Sequence, residues 1–129
     1  MKLAVIGGGS TYTPELVTGF LMRMDTFPLS ELWLMDIDAE RLAVVGGLAQ
    51  RMVQANGSPF RVVLTGDRRE AIQGASYVLT QLRVGQMPAR RADEYLGRRH
   101  SLIGQETTGI GGMAKALRTI PVCSTSPAT

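Results

Sequence analysis

The sequence predicts an α/β protein on a Rossmann-like, doubly wound sheet, mostly parallel, in three αβα layers. Three observations carry the prediction. Residues 2–6 (KLAVI), 31–36 (ELWLMD), 61–65 (RVVLT) and 76–82 (SYVLTQL) are short, apolar-rich runs of strand length. Segments with apolar residues at helical spacing alternate with them. The first run passes directly into Gly7-Gly8-Gly9, which opens the first helix. A strand–helix–strand alternation implies right-handed crossovers between parallel neighbours.

Taken in order, residues 2–6 read as a strand buried on both faces. Thr13 is expected to cap the next helix, Pro14 suits its first turn, and Glu15 is favourable beside the positive dipole end. Leu16, Val17, Phe20, Leu21 and Met24 make its apolar face, and TFPLS at 26–30 ends it. After the second strand, Asp38 is a cap for a helix whose apolar face is Leu42, Val45, Ala49, Met52 and Val53. NGSP is a turn, and GDRREAIQGA a short helix closed by Gly74 after the third strand. Past Gln81 the chain turns polar and arginine-rich. A loop, a helix from about Ala89 to Arg99, a glycine turn and a helix across Met113 to Thr119 ended by Pro121 are expected. Residues 1–122 are read as one dinucleotide-binding domain, and 123–129 (CSTSPAT) as a tail expected to be disordered.

The 129 residues suffice for one compact core. A net charge of +3 without a clustered basic face predicts no nucleic-acid partner. One cysteine, Cys123, cannot form an intrachain disulfide and favours a reducing compartment. The leading apolar run is too short for a signal-peptide core or a membrane span, so no membrane partner and a cytoplasmic location are expected. Self-association through exposed sheet edges is a further expectation.

Candidate chemistry begins at GGGSTYTPE. Gly7 permits a tight turn, and Gly9 lets a pyrophosphate approach the backbone. Gly8 completes the turn, Ser10 and Thr11 add hydroxyl donors, and a helix N-terminus stabilises negative charge. Tyr12 occupies the position of the fingerprint's third glycine, so a plain strand–helix turn stays an alternative. Asp36, ending the second strand, can accept hydrogen bonds from ribose hydroxyls and would repel a 2′-phosphate, favouring NAD; Asp38 competes for that role. Arg83, Arg90, Arg91, Arg98 and Arg99 suit a phosphorylated small substrate, but equally a solvated helix face with an Arg90–Glu94 pair. His100, the only histidine, builds no metal site alone. Glu106 lies in GQETTGIGG, where it could orient a base or a substrate hydroxyl, or simply belong to a capped turn before a helix.

GGGSTYTPEL, LMDID, LRVGQ, the R-x-x-D-E of Arg90, Asp93 and Glu94, and IGQETTGIGGMAKALRTIP together resemble glycoside hydrolase family 4 from Lys2 to about Val122. These are NAD- and metal-dependent glycosidases, and ETTG resembles the 6-phospho-β-glucosidase branch. The resemblance implies hydrolysis of 6-phospho-β-glucosides, either a phosphorylated disaccharide or an aryl glucoside. It implies NAD-dependent oxidation at C3, elimination of the aglycone and addition of water, outside the two-carboxylate scheme. It makes Gly7, Gly8, Gly9, Ser10, Thr11 and Asp36 cofactor contacts, Arg90 and Arg83 substrate contacts, and Glu106 an acidic residue that orients or activates a tyrosine base. That tyrosine, the catalytic aspartate and the cysteine and histidine that bind a divalent metal, usually manganese, lie downstream of the matching region in the family. No metal ligand is assigned in this chain, Cys123 included, and the chain alone is expected to be inactive. An NAD-dependent 2-hydroxy-acid dehydrogenase-like domain, or a non-catalytic nucleotide-binding or interaction module, would share the first half of the pattern.

Overall fold

The computed structural model describes residues 1–124. They form two compact units, Met1–Leu82 and a second beginning at Arg83. The first contains β1 (Lys2–Ile6), α1 (Thr13–Leu21), β2 (Glu31–Met35), α2 (Ala39–Ala55), β3 (Arg61–Thr65), α3 (Arg68–Ile72) and β4 (Tyr77–Thr80). Its strands are ordered β3-β2-β1-β4 and every pair is parallel. The chain therefore winds outward from β1 to β3 and returns to the other side of β1. The switch point lies at the carboxyl ends of β1 and β4, where such sheets bind ligands.

Alternation along the strands builds the layers. Leu3 and Val5 of β1 and Leu32 and Leu34 of β2 pack with Val17 of α1 and Leu42, Ala49 and Val53 of α2. Ala4, Ile6 and Met35 point to the opposite face and pack with Ala71 of α3. The edge strand β4 is open, with Tyr77, Val78 and Leu79 all exposed.

Asp38 caps α2, its carboxylate accepting from Arg41 N at 3.0 Å. Thr13 does not cap α1. Tyr12 occupies the N-cap without a side-chain bond, and Thr13 is the first helical residue, wholly buried. Its hydroxyl donates to Gly8 O and accepts from Gln81 Nε2, each at 2.8 Å. A buried hydroxyl needs such partners, and tertiary contact supplied them in place of the helix's own amides. Met24 falls beyond the end of α1.

The second unit contains α4 (Gln86–Arg99) and α5 (Gly109–Ser124). α4 starts earlier than expected because Gly85, at φ +80°, makes the turn into it. α5 continues through Pro121 to Cys123 and Ser124. Proline removes one backbone bond and crowds the carbonyl four residues back, but here only the last turn bears that cost. The expected tail thus begins as helix, and residues 125–129 lie outside the described residues. Glycine permits two close approaches to α4: a Cβ at Gly97 would lie 2.9 Å from Ile103 O in the following loop, and one at Gly111 of α5 would lie 2.7 Å from Asp93 O. α5 exposes Met113, Leu117 and Ile120. Among the described residues, no helix is long and apolar enough to cross a membrane.

Candidate functional site

The glycine turn of the first unit is defined by what surrounds it. Gly7 has φ +96°, and a Cβ there would stand 2.6 Å from Gln81 O. The amides of Gly7 and Gly8 both donate to Met35 O at 2.8 Å. A Cβ on Gly8 would meet Leu34 Cβ at 2.7 Å, so the turn lies hard against β2. Gln81 Nε2 donates to Gly7 O at 3.1 Å as well as to Thr13, which ties the turn to β4 and α1. Ser10 Oγ accepts from Tyr12 N at 3.3 Å, and Thr11 is exposed. No side chain caps the N-terminus of α1. Three glycines without side chains just ahead of a helix suit the approach of a pyrophosphate.

Asp36 follows β2 and is half-buried. Its Oδ2 accepts from Gly9 N at 2.8 Å and its Oδ1 from Asp38 N at 3.1 Å. A Cβ on Gly9 would stand 2.8 Å from that Oδ2. A carboxylate has about four acceptor positions, so both oxygens keep capacity for ribose hydroxyls after these bonds. Asp38 is committed to the α2 cap.

In the second unit, Glu106 is the centre of a cationic cluster. Its carboxylate lies 2.5 Å from Arg83 Nη1, 3.5 Å from Arg90 Nε and 3.7 Å from Lys115 Nζ. Arg90 Nε also donates to Glu94 Oε1 at 2.9 Å, the pair one helical turn apart that the spacing allows. Burial works to raise the Glu106 pKa, but the Arg83 hydrogen bond and the charges of Lys115, Arg83 and Arg90 hold it below the usual range. Glu106 is therefore an ionised acceptor at neutral pH and not a proton donor. Three cations, Arg83, Arg90 and Lys115, face Glu106, and Arg90 also pairs with Glu94.

The capped turn is also present, made by Gln105. Its Oε1 accepts from Thr107 N, from Thr107 Oγ1 at 2.7 Å and from Thr108 N at 2.8 Å. Arg91 and Arg98 lie over the Tyr95 ring at 5.4 and 5.2 Å, a solvated helix face. His100 is the exposed C-cap of α4. Among the described residues, no group of three or more His, Cys, Asp or Glu side chains could hold a metal ion. Sequence reasoning missed Gln81, Lys115 and the pair Asp93–Arg118. Only Gln81, at the carboxyl end of a strand beside the glycine turn, carried a positional signal.

A sequence model described as "Family 4 glycosyl hydrolase" matches residues 2–125. The chain is 51% identical over 124 residues to the 6-phospho-β-glucosidase of Escherichia coli (strain K12), covering 95% of this chain and 28% of that protein. It is 53% identical over 124 residues to a probable 6-phospho-β-glucosidase of Bacillus subtilis (strain 168), with the same coverage of 95% and 28%. The solved 6-phospho-β-glucosidase of Thermotoga maritima, with manganese, NAD⁺ and glucose-6-phosphate, superimposes with a TM-score of 0.89 at 40% identity, over 96% of this chain and 29% of that one. A 6-phospho-α-glucosidase from gut microorganisms, in complex with NAD and Mn²⁺, gives a TM-score of 0.89 at 36% identity, over 97% and 28%. The chain thus spans 28% of the length of these two curated relatives.

Proposed function

The chain belongs to the family 4 glycosyl hydrolases, and from that premise we propose that it is the amino-terminal, NAD-binding part of a cytoplasmic 6-phospho-β-glucosidase. The observation that carries the reading is the Glu106 cluster, which gathers Arg83, Arg90 and Lys115 around one carboxylate. Such a cluster suits a sugar phosphate, because guanidinium groups bind phosphate through paired hydrogen bonds. The β assignment rests on relatives of that name at 51% and 53% identity, against 40% for a 6-phospho-α-glucosidase. A dehydrogenase offers no counterpart for residues 103–121. The substrate is a phosphorylated disaccharide or an aryl glucoside bearing phosphate.

When bound, NAD⁺ supplies reversible hydride acceptance at C3 of the sugar, which makes the C2 proton acidic enough for the aglycone to leave by elimination before water adds at C1. This chain's residues prepare that chemistry. The turn from Gly7 to Thr11 receives the pyrophosphate at the N-terminus of α1, and Asp36 accepts from the ribose hydroxyls. Arg83 and Arg90 hold the phosphorylated sugar. Glu106 fixes both arginines and orients the tyrosine base that the rest of the enzyme supplies. The metal ligands are likewise assigned to the rest of the enzyme.

Calorimetric titration of the chain tests the reading. NAD⁺ and glucose 6-phosphate are each expected to bind weakly. Asp36→Ala is expected to weaken NAD⁺ by about tenfold or more, the worth of a charge-assisted hydrogen bond. No heat with millimolar NAD⁺ would reduce the claim to fold alone. The chain, at verified mass, is expected not to turn over 6-phosphoglucosides, and turnover would overturn the division of labour stated above.

A further inference from the structure

The structure assigns Arg118 a positioning role: paired with Asp93, it holds the segment before α4 so that Arg83 stands against Glu106. The inference rests on the reading of the Glu106 cluster as substrate-binding.

Arg118 uses its guanidinium on two segments at once. Nη1 and Nη2 donate to Asp93 Oδ1 and Oδ2 at 3.1 and 2.6 Å, a two-point fork. Nε turns the other way and donates to Val84 O at 2.9 Å. Its stem runs beside Gly85, where a Cβ would lie 3.6 Å from Arg118 Cδ. Asp93 is only 3% exposed, and a carboxylate so placed persists only with a partner such as this one.

The position of this link matters more than its strength. Val84 is the residue after Arg83, so the carbonyl bond fixes the backbone from which Arg83 reaches Glu106. Asp93 lies one helical turn after Arg90 and just before Glu94, so the fork fixes the α4 face that carries both. Arg118 lies in α5, in the turn after Lys115. The cations that surround Glu106 therefore hang from the segments that Arg118 joins. Arg118 makes no contact with Glu106 itself, so it sets the cluster's geometry and is not a catalytic residue. A lysine at this position would keep the charge but could not serve Asp93 twice and Val84 once.

The test uses the 129-residue chain with Arg118→Lys and Asp93→Asn. Carboxyl carbon NMR follows the titration of Glu106, calorimetry follows glucose 6-phosphate, and amide spectra of residues 1–82 report on the first unit. In Arg118→Lys the Glu106 titration is expected to move up toward the ordinary carboxylate value, and glucose 6-phosphate affinity to fall by about tenfold or more. Asp93→Asn is expected to move both in the same direction, with NAD⁺ affinity unchanged in each. Variants that are less stable but leave the Glu106 titration in place would show a purely structural link and overturn the proposal. If the unaltered chain binds no glucose 6-phosphate, the substrate reading fails, while the Glu106 titration still judges Arg118. Should both variants unfold residues 83–124, the Arg118 Nε–H in the unaltered chain decides: slow exchange supports the link to Val84, and free exchange overturns it.

Discussion

The first unit, residues 1–82, holds every fully buried apolar side chain of the described residues, from Leu3 to Ala71. In the second, from Arg83, the buried residues among those described are Asp93, Gly97 and Gly111, and no apolar side chain is among them. One unit is thus a small apolar sandwich with a polar site at its backbone turns. The other is a helix pair joined by ion pairs and glycine contacts. Apolar burial is non-directional and tolerates approximate fit, whereas a fork of charge-assisted hydrogen bonds requires particular groups at particular distances. The glycine turn is therefore built on the forgiving unit and the charged cluster on the exacting one.

That contrast breaks most readily under reciprocal truncations. Leu34→Ala, in the middle of β2, is expected to cost the first unit roughly 2–5 kcal/mol. Arg118→Ala is expected to open the second, because it leaves the buried Asp93 carboxylate without its two-point partner. Amide exchange, read separately for residues 1–82 and 83–124, checks both. If Leu34→Ala opened the second unit as much as the first, the two would not be energetically separate. Gly8→Ala comes next, at about 1–3 kcal/mol in the first unit with loss of NAD⁺ binding, because its Cβ would meet Leu34 Cα at 2.9 Å. Denaturant midpoints and calorimetry measure these two effects.

Acid sharpens the comparison further. Hydrogen bonding from Arg118 holds the Asp93 carboxyl below its ordinary range against the opposing effect of burial, and Glu106 is also held low. A lowered carboxylate contributes stability that is fully present above its unfolded pKa, about 3.9 for Asp and 4.3 for Glu, and is lost as pH falls through the folded value. The second unit is therefore expected to open below about pH 4 while the β1–β2 core persists. Amide spectra across an acid titration would show the order, and simultaneous loss would contradict it. The smallest effect belongs to the surface: Arg61→Ala, which breaks an exposed pair with Glu31 at 2.7 Å, is expected to leave a thermal melt almost unchanged.

Legibility followed the range of the interaction. The four strands, the α2 cap at Asp38 and the Arg90–Glu94 pair were readable because each depends on residues a few positions apart. The glycine turn between β1 and α1 was readable as a motif, but its fastening by Gln81 to Thr13, 68 residues away, was not. Glu106 could be chosen only through resemblance, since its partner Arg83 lies 23 residues back. Thr13 was misassigned for the same reason: its local role as a cap lost to Gly8 and Gln81.

By itself, then, the sequence determined the parallel architecture and the glycine turn that opens α1, because periodicity and turn chemistry are local properties of the chain. Tertiary structure alone decided that Glu106 is surrounded by three cations and that Asp93 is buried against Arg118. Each of these depends on how distant segments meet. Charged side chains are long and flexible, and only the packed backbone selects which of many possible partners they reach.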